Sequence, residues 1–337
     1  MKRPRRAFGL VAIVAVCALA FFVSCSKPTE PTETEPTETG QASEPTVAEA
    51  LAKVEAAIEV AETTSGNGEP AMWLLQDEDT TIHIFGSIHL LKSETEWRSG
   101  KIDKAFADSD KLVMEVDAVS PEAQAQMGAM VLSKGAFTDG TKISDLLSEE
   151  EVEAVKASLA EINMQLAAVD AFKPWFATLF VSNSQMVNAG YNPESGVETV
   201  LAAEATSRGM SFGYLETLED QISIFADEPL EDQLKAFVFA AETASVGPKA
   251  LDVLAAEWAD GDTAGLTAMV GNPNAFEEQA DYEALLVNRN RNWVPQIKAM
   301  LDEPGTVFIA VGAGHLVGDD SVIAMLRDEG LTVTKQN

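Results

Sequence analysis

Histidine is so scarce in this 337-residue chain that it can be read residue by residue: His83, His89 and His315 are the whole supply. Two of them share a context. Ile84-Phe85-Gly86-Ser87-Ile88-His89-Leu90 and Ala310-Val311-Gly312-Ala313-Gly314-His315-Leu316 each carry an apolar, strand-like stretch into G-x-x-H-L. Gly86 and Gly312 let the backbone turn sharply where a strand ends, so the histidine three residues later comes to the sheet rim. Strand ends are where open sheets bind ligands. Imidazole chemistry in this chain therefore points to His89 and His315. His83 alternates with Ile82 and Ile84 and lacks the glycine, which reads as a structural histidine.

Carboxylates are abundant, so only their surroundings select among them. Glu115 lies inside Leu112-Val113-Met114-Glu115-Val116-Asp117, and a carboxylate in an apolar strand is costly unless paired or bound to a cation. Glu198 opens an Ala-rich helix after Ser195-Gly196-Val197, where a surface role is equally open. Glu216 follows a short strand-like stretch, 209–215. Arg289 and Asn290 sit at helical spacing in the segment 285–293, where a solvated helix face is the plain reading of the arginine. Both cysteines, Cys17 and Cys25, precede residue 26, which excludes a disulfide, a thiolate zinc site and a cysteine nucleophile from the rest. There is no HExxH helix and no G-x-S-x-G serine elbow.

These residues need a sheet to hold them. Strands are expected at 71–76 and 81–86 as a hairpin across Asp77-Glu78-Asp79, then at 111–116, 306–312 and 331–335. Helices are expected near 101–108 and 320–328, and over most of 120–300, where residues 148–162 start on a Ser cap with an acidic first turn. Asp260-Gly261-Asp262 lacks a calcium-loop continuation and reads as a helix–turn–helix corner. The fold expected is α/β, a central mixed sheet built from N- and C-terminal strands with a large helical insertion.

The front end is an address. Residues 1–6 are basic, 7–23 are apolar without a charge, and Ser24-Cys25 closes the segment. That is a secretory signal of lipoprotein type, with residues 1–24 removed and Cys25 lipidated. An uncleaved anchor is the alternative, although 17 apolar residues are short of the ~20 that span a bilayer. Residues 25–65 hold a Pro/Thr/Glu-rich tether and a short helix, and 66–337 the folded domain. The full chain carries 23 Lys+Arg against 54 Asp+Glu, a net charge of −31. Without the four basic residues of the signal it reaches −35. So acidic a surface excludes nucleic acid as a partner. The location expected is extracytoplasmic, on a bacterial membrane, and the outer membrane or periplasm in a diderm host.

In the order and spacing of its blocks the chain resembles the TraB/GumN (TraB/PrgY/GumN) family, related to the Tiki metalloproteases. The likeness runs from about Trp73 to Val333 and rests on FGSIHLL, LVMEVD, KPW, SGVE with LAAEATSRG, LETLEDQ, RNRNW and VGAGHLVGDDSV. The resemblance implies a divalent metal ion (Mn, Co, Fe or Zn) on His89, His315 and Glu115. Glu115, Glu198 and Glu216 become the acidic catalytic candidates. Arg289 and Asn290 would steady an oxyanion or a bound carboxylate. It also implies a metal-dependent peptidase acting on peptides or envelope proteins. The alternatives are a non-catalytic lipoprotein binding metal, haem or peptide and, more weakly, a metal-independent esterase.

Overall fold

Apolar side chains at both faces of a strand mark a sheet covered on both sides, and that is how the centre of this protein is built. The computed structural model describes residues 47–276 and 278–336. The signal, Cys25 and the Pro/Thr/Glu tether lie outside the described residues. Six strands form one mixed sheet: β1 (Met72–Gln76), β2 (Thr80–Ser87), β3 (Lys111–Met114), β4 (Ser211–Tyr214), β5 (Gly305–Gly312) and β6 (Val333–Lys335), in the order β4-β3-β5-β2-β1-β6. The expected hairpin is there, with Met72 opposite Phe85 and Gln76 opposite Thr81. β6 pairs antiparallel with β1.

β2, β3, β4 and β5 are all parallel. The C-terminal strand β5 inserts between β2 and β3, so both ends of the chain share the sheet. Register brings Gly86 beside Val311 and Ser87 beside Gly312, which makes the two G-x-x-H turns immediate neighbours. Phe85, Phe106 and Phe308 are fully buried around this pairing, Phe106 edge-on to Phe308 at 5.2 Å. β3 ends at Met114, one residue short of Glu115, so the carboxylate stands just beyond the ladder.

The insertion between β3 and β5 is helical except for β4. Glu149–Glu161 carries the expected cap as a full capping box between Ser148 and Glu151. The helix Val47–Ala61, assigned to the tether by sequence, buries Val54, Ile58 and Ala61 in the main core, so the folded body includes it. Among the described residues no helix is long and apolar enough to cross a membrane.

Asp260-Gly261-Asp262 is a helix–turn–helix corner: Gly261 has φ 74°, and Asp262 caps the helix Thr263–Val270. The Asp260 carboxylate accepts from Gly66 N at 2.5 Å and Gly68 N at 3.0 Å, seating the entering chain on the corner. Burial, then hydrogen bonding to Asp262 and the charges of Asp262, Asp260 and Glu62, push the Glu257 carboxyl up to about 7. A raised carboxyl stabilises the fold below its unfolded value, and that contribution is lost as pH rises through about 7. The urea midpoint should therefore fall between roughly pH 5 and pH 8, less steeply in Glu257→Gln than in the parent. Equal slopes would show that Glu257 is not the group responsible.

Candidate functional site

Four parallel strands end at one rim, and each delivers one part of a cluster. β2 leads to His89, β3 to Glu115, β4 to Glu216, and β5 to Gly312 and His315. Two helices complete it. Val197–Arg208 places Glu198 in its first turn, where the helix dipole favours a carboxylate. Asn288–Ala299 follows a wide π turn, Glu283–Val287, and presents Arg289, Asn290 and Trp293 inward.

Arg289 is the centre of the charge pattern. Its Nη2 donates to Glu115 Oε2 at 2.6 Å and to Glu216 Oε2 at 2.9 Å, and its Nε donates to Glu216 Oε1 at 2.9 Å. Nη1 donates to Leu285 O and, at 3.1 Å, to His315 Nε2. The helical spacing admitted a solvated face for this residue, but only 14% of its side chain is exposed. Its carboxylate partners outweigh burial and hold the guanidinium charged, with its pKa pushed up.

Both oxygens of Glu115 are engaged. Besides Arg289, the carboxylate accepts from Gln221 Nε2 at 3.1 Å and from Gly312 N at 2.7 Å. Burial alone would raise its pKa, but Arg289, the two imidazoles and Gly312 N–H hold it well below the ordinary carboxylate range. Glu216 also accepts from Trp293 Nε1 at 2.9 Å and Gln221 Nε2 at 3.3 Å.

The two motif histidines are electrostatic opposites. A guanidinium can only donate, so His315 Nε2 is an acceptor and its proton sits on Nδ1, which donates to Asn290 Oδ1 at 2.6 Å. Asn290 is in turn fixed by its Nδ2 donating to Asp320 O at 2.8 Å. Burial and the neighbouring Arg289 push His315 down to about 3, so this ring is neutral. His89 Nδ1 pairs with Glu198 Oε1 at 2.8 Å. Burial would lower its pKa, but Glu198 overrides that and lifts it to about 9. His89 faces a cleft shared with Glu115, Glu198, Gln221 and an apolar wall of Met114, Val116, Val119 and Pro193.

By donor type the residues are ones that bind divalent metal ions. Both histidines have Nδ1 held by a side-chain oxygen, which is how metal-ligating imidazoles are set. Gly312 is the cradle: a Cβ there would lie 3.1 Å from Glu115 Oε1 and 3.6 Å from His89 Nε2. His315 Nε2 is 3.9 Å from Glu115 Oε1. Among the described residues no three such side chains are already drawn to ligand spacing, and Arg289 occupies the His315 lone pair.

Arg289 and Asn290, which the resemblance implies would steady an oxyanion or a bound carboxylate, place donors on Glu115, Glu216, His315 and Asp320 O in this structure. His83 stands apart on β2, its pKa lowered by burial. Sequence reasoning missed Gln221, Trp293 and Ser87. Ser87 donates to Glu198 Oε1 from within the first G-x-x-H motif. Trp293 lies one helical turn after Arg289 and packs its ring on His315 at 4.3 Å. It also missed Gly196, whose missing Cβ lets the chain pass over His89: a Cβ there would lie 2.1 Å from His89 O.

The TraB/PrgY/gumN family pattern matches residues 71–335. The uncharacterized protein YbaP of Escherichia coli K12 is 22% identical over 265 residues, covering 77% of this chain and 92% of its own length. YbaP of Shigella flexneri is 23% identical over 252 residues, 73% of this chain and 87% of its own. No solved structure matches.

The charge of His89 depends on Glu198, so Glu198→Gln should bring the His89 NMR titration midpoint from about 9 down toward or below its ordinary 6.5. Gly196→Ala, by forcing Glu198 off His89, should lower it as well. An unchanged midpoint in both variants would contradict the pairing.

Proposed function

The chain belongs to the TraB/PrgY/gumN family, and from that premise we propose that it is an extracytoplasmic hydrolase, tethered to a membrane through Cys25, that uses a divalent metal ion to cleave peptides or envelope proteins. One observation carries the reading: two imidazoles, each held at Nδ1 by a side-chain oxygen, flank Gly312 beside the Glu115 carboxylate. His89, His315 and Glu115 would hold the ion, and a nitrogen- and oxygen-rich set of this kind admits Mn, Co, Fe or Zn. Such an ion supplies an activated water and polarises a carbonyl.

The chain's own residues do the rest. Glu198 orients His89, while Asn290 and Trp293 fix the plane and tautomer of His315. Arg289 and Gln221 keep Glu115 ionised and aimed. Met114, Val116, Val119 and Pro193 give the cleft an apolar side on which a substrate side chain can lie away from water.

A second reading has one observation in its favour. His89, paired with Glu198 and open to the cleft, is also the arrangement of an acid–base histidine, which supports a metal-independent esterase.

The purified chain should contain one transition-metal equivalent and cleave a peptide library, and His89→Ala and His315→Ala should each lose both properties while staying folded. Metal bound at full stoichiometry without turnover would leave a binding lipoprotein. Cleavage undiminished by EDTA would favour the esterase.

Because His89 must shed its Nε2 proton to bind, metal affinity should rise with pH, by roughly tenfold per unit below the His89 value. That value is about 9. His315, already neutral, adds no such dependence. Calorimetric titration between roughly pH 6 and pH 9 tests the slope, and a flat profile would remove His89 from the ligand set.

A further inference from the structure

Gln221 is only 7% exposed, yet it lines the cleft together with His89 and Glu115. Its Nε2 donates to Glu115 Oε2 at 3.1 Å and to Glu216 Oε2 at 3.3 Å. The same two oxygens accept from Arg289 Nη2, so both are fixed acceptors. An amide turned the other way would set its carbonyl oxygen against two carboxylates. Charge therefore dictates the orientation, and Nε2 is spent on Glu115 and Glu216. Oε1 has no hydrogen-bond partner among the described residues, and it is not sealed from solvent as Glu198 Oε2 is.

The frame around this oxygen is fixed. Gln221 lies in the first turn of the helix Leu218–Ala226, which opens on a capping box between Thr217 and Asp220. Leu218, Ile222 and Phe225 of the same helix are buried in the main core. The apolar part of the cleft is Met114, Val116, Val119 and Pro193. Asp117 Oδ1 accepts from Val119 N at 3.2 Å and Ser120 N at 3.0 Å, which pins the loop carrying that wall. A ligand that satisfies this surface carries an N–H donor next to an apolar group, as a peptide does at an apolar residue. We infer that Gln221 Oε1 is the acceptor for a backbone N–H of a bound peptide, and that it selects apolar peptides over the corresponding esters. An ester keeps the shape and the carbonyl but leaves Oε1 unpaired, with its own lone pairs turned on it. A site built for an N–H rejects such an analogue on that ground. The inference rests on the peptide-substrate part of the proposed function and on no metal ion.

The test is binding to the full chain, treated with EDTA and followed by calorimetry. The probes are acetyl-Ala-Xaa-Ala-amide peptides with Leu, Val, Met, Phe or Asp as Xaa, and analogues in which oxygen replaces one backbone N–H at a time. In the parent, oxygen at one position should weaken binding by about five- to tenfold, the worth of one hydrogen bond, and much less elsewhere. Gln221→Met removes the acceptor, and Gln221→Lys removes it while keeping a donor between Glu115 and Glu216. In both variants the position-specific loss should vanish. That ratio is the readout, because a merely structural role would weaken every probe together. The parent series stands whether or not either variant folds.

Equal binding of peptides and ester analogues to the parent would overturn the proposal. So would a position-specific loss that survives in Gln221→Lys, an Asp probe bound as well as the Leu probe, or no binding by any peptide. Selective peptide binding without metal-dependent cleavage would uphold the acceptor while sinking the hydrolase. EDTA-sensitive peptide cleavage with no discrimination against the ester analogues would do the reverse.

Discussion

A buried guanidinium held between two buried carboxylates is the constraint on which the rest of this site depends. Glu115 and Glu216 are 7% and 8% exposed, and a carboxylate buried so far is costly without a fixed positive partner. Arg289 supplies it in a planar, bidentate geometry that lysine cannot reproduce. Removing one member of such a set costs about 3–5 kcal/mol, because a charge is left buried and unpaired. The helix Asn288–Ala299 must therefore dock against the rim in one register, and it brings Asn290 and Trp293 with it. Those two then hold His315, so one ion-pair network sets both the acidic and the imidazole parts of the site.

The sheet does the remaining positioning. Parallel pairing of β2, β5, β3 and β4 means that all four chains leave in the same direction, and their first loop residues converge. The insertion of β5 between β2 and β3 puts the second G-x-x-H turn beside both His89 and Glu115. A hydrogen bond from Trp258 Nε1 to Gly86 O at 2.7 Å ties the first turn to the helical insertion. Val197 N donates to Ile88 O, and Leu91 bridges Asn192, so the segment carrying Glu198 is sewn directly to the segment carrying His89.

Much of this could be read in the residues, for identifiable reasons. The hairpin was legible because apolar alternation breaks at Asp77-Glu78-Asp79. β3 and β5 were legible as short runs with an apolar centre. His89 and His315 stood out because a rare residue recurs in one context, and Glu115 because a carboxylate among apolar neighbours demands a partner. What a periodic pattern does not contain is direction. Helical spacing at 285–293 is the same whether Arg289 faces water or three buried partners, and only the docking of the helix decides. Gln221 and Trp293 were hidden likewise, since amide and indole donors look ordinary until the acceptors they reach are known. The opposite charge states of two histidines in matching motifs arise from residues distant in the chain, Glu198 for one and Arg289 for the other.

The proposed metal-dependent reading requires His89, His315 and Glu115 to form one metal site around Gly312. Anomalous diffraction from crystals of the chain grown with Mn²⁺ or Zn²⁺ tests it most directly. On that reading one strong peak lies within ligand distance of His89 Nε2, His315 Nε2 and Glu115 Oε1, with Arg289 Nη1 withdrawn from His315. A peak elsewhere, or none while Arg289 still holds the His315 lone pair, would contradict it.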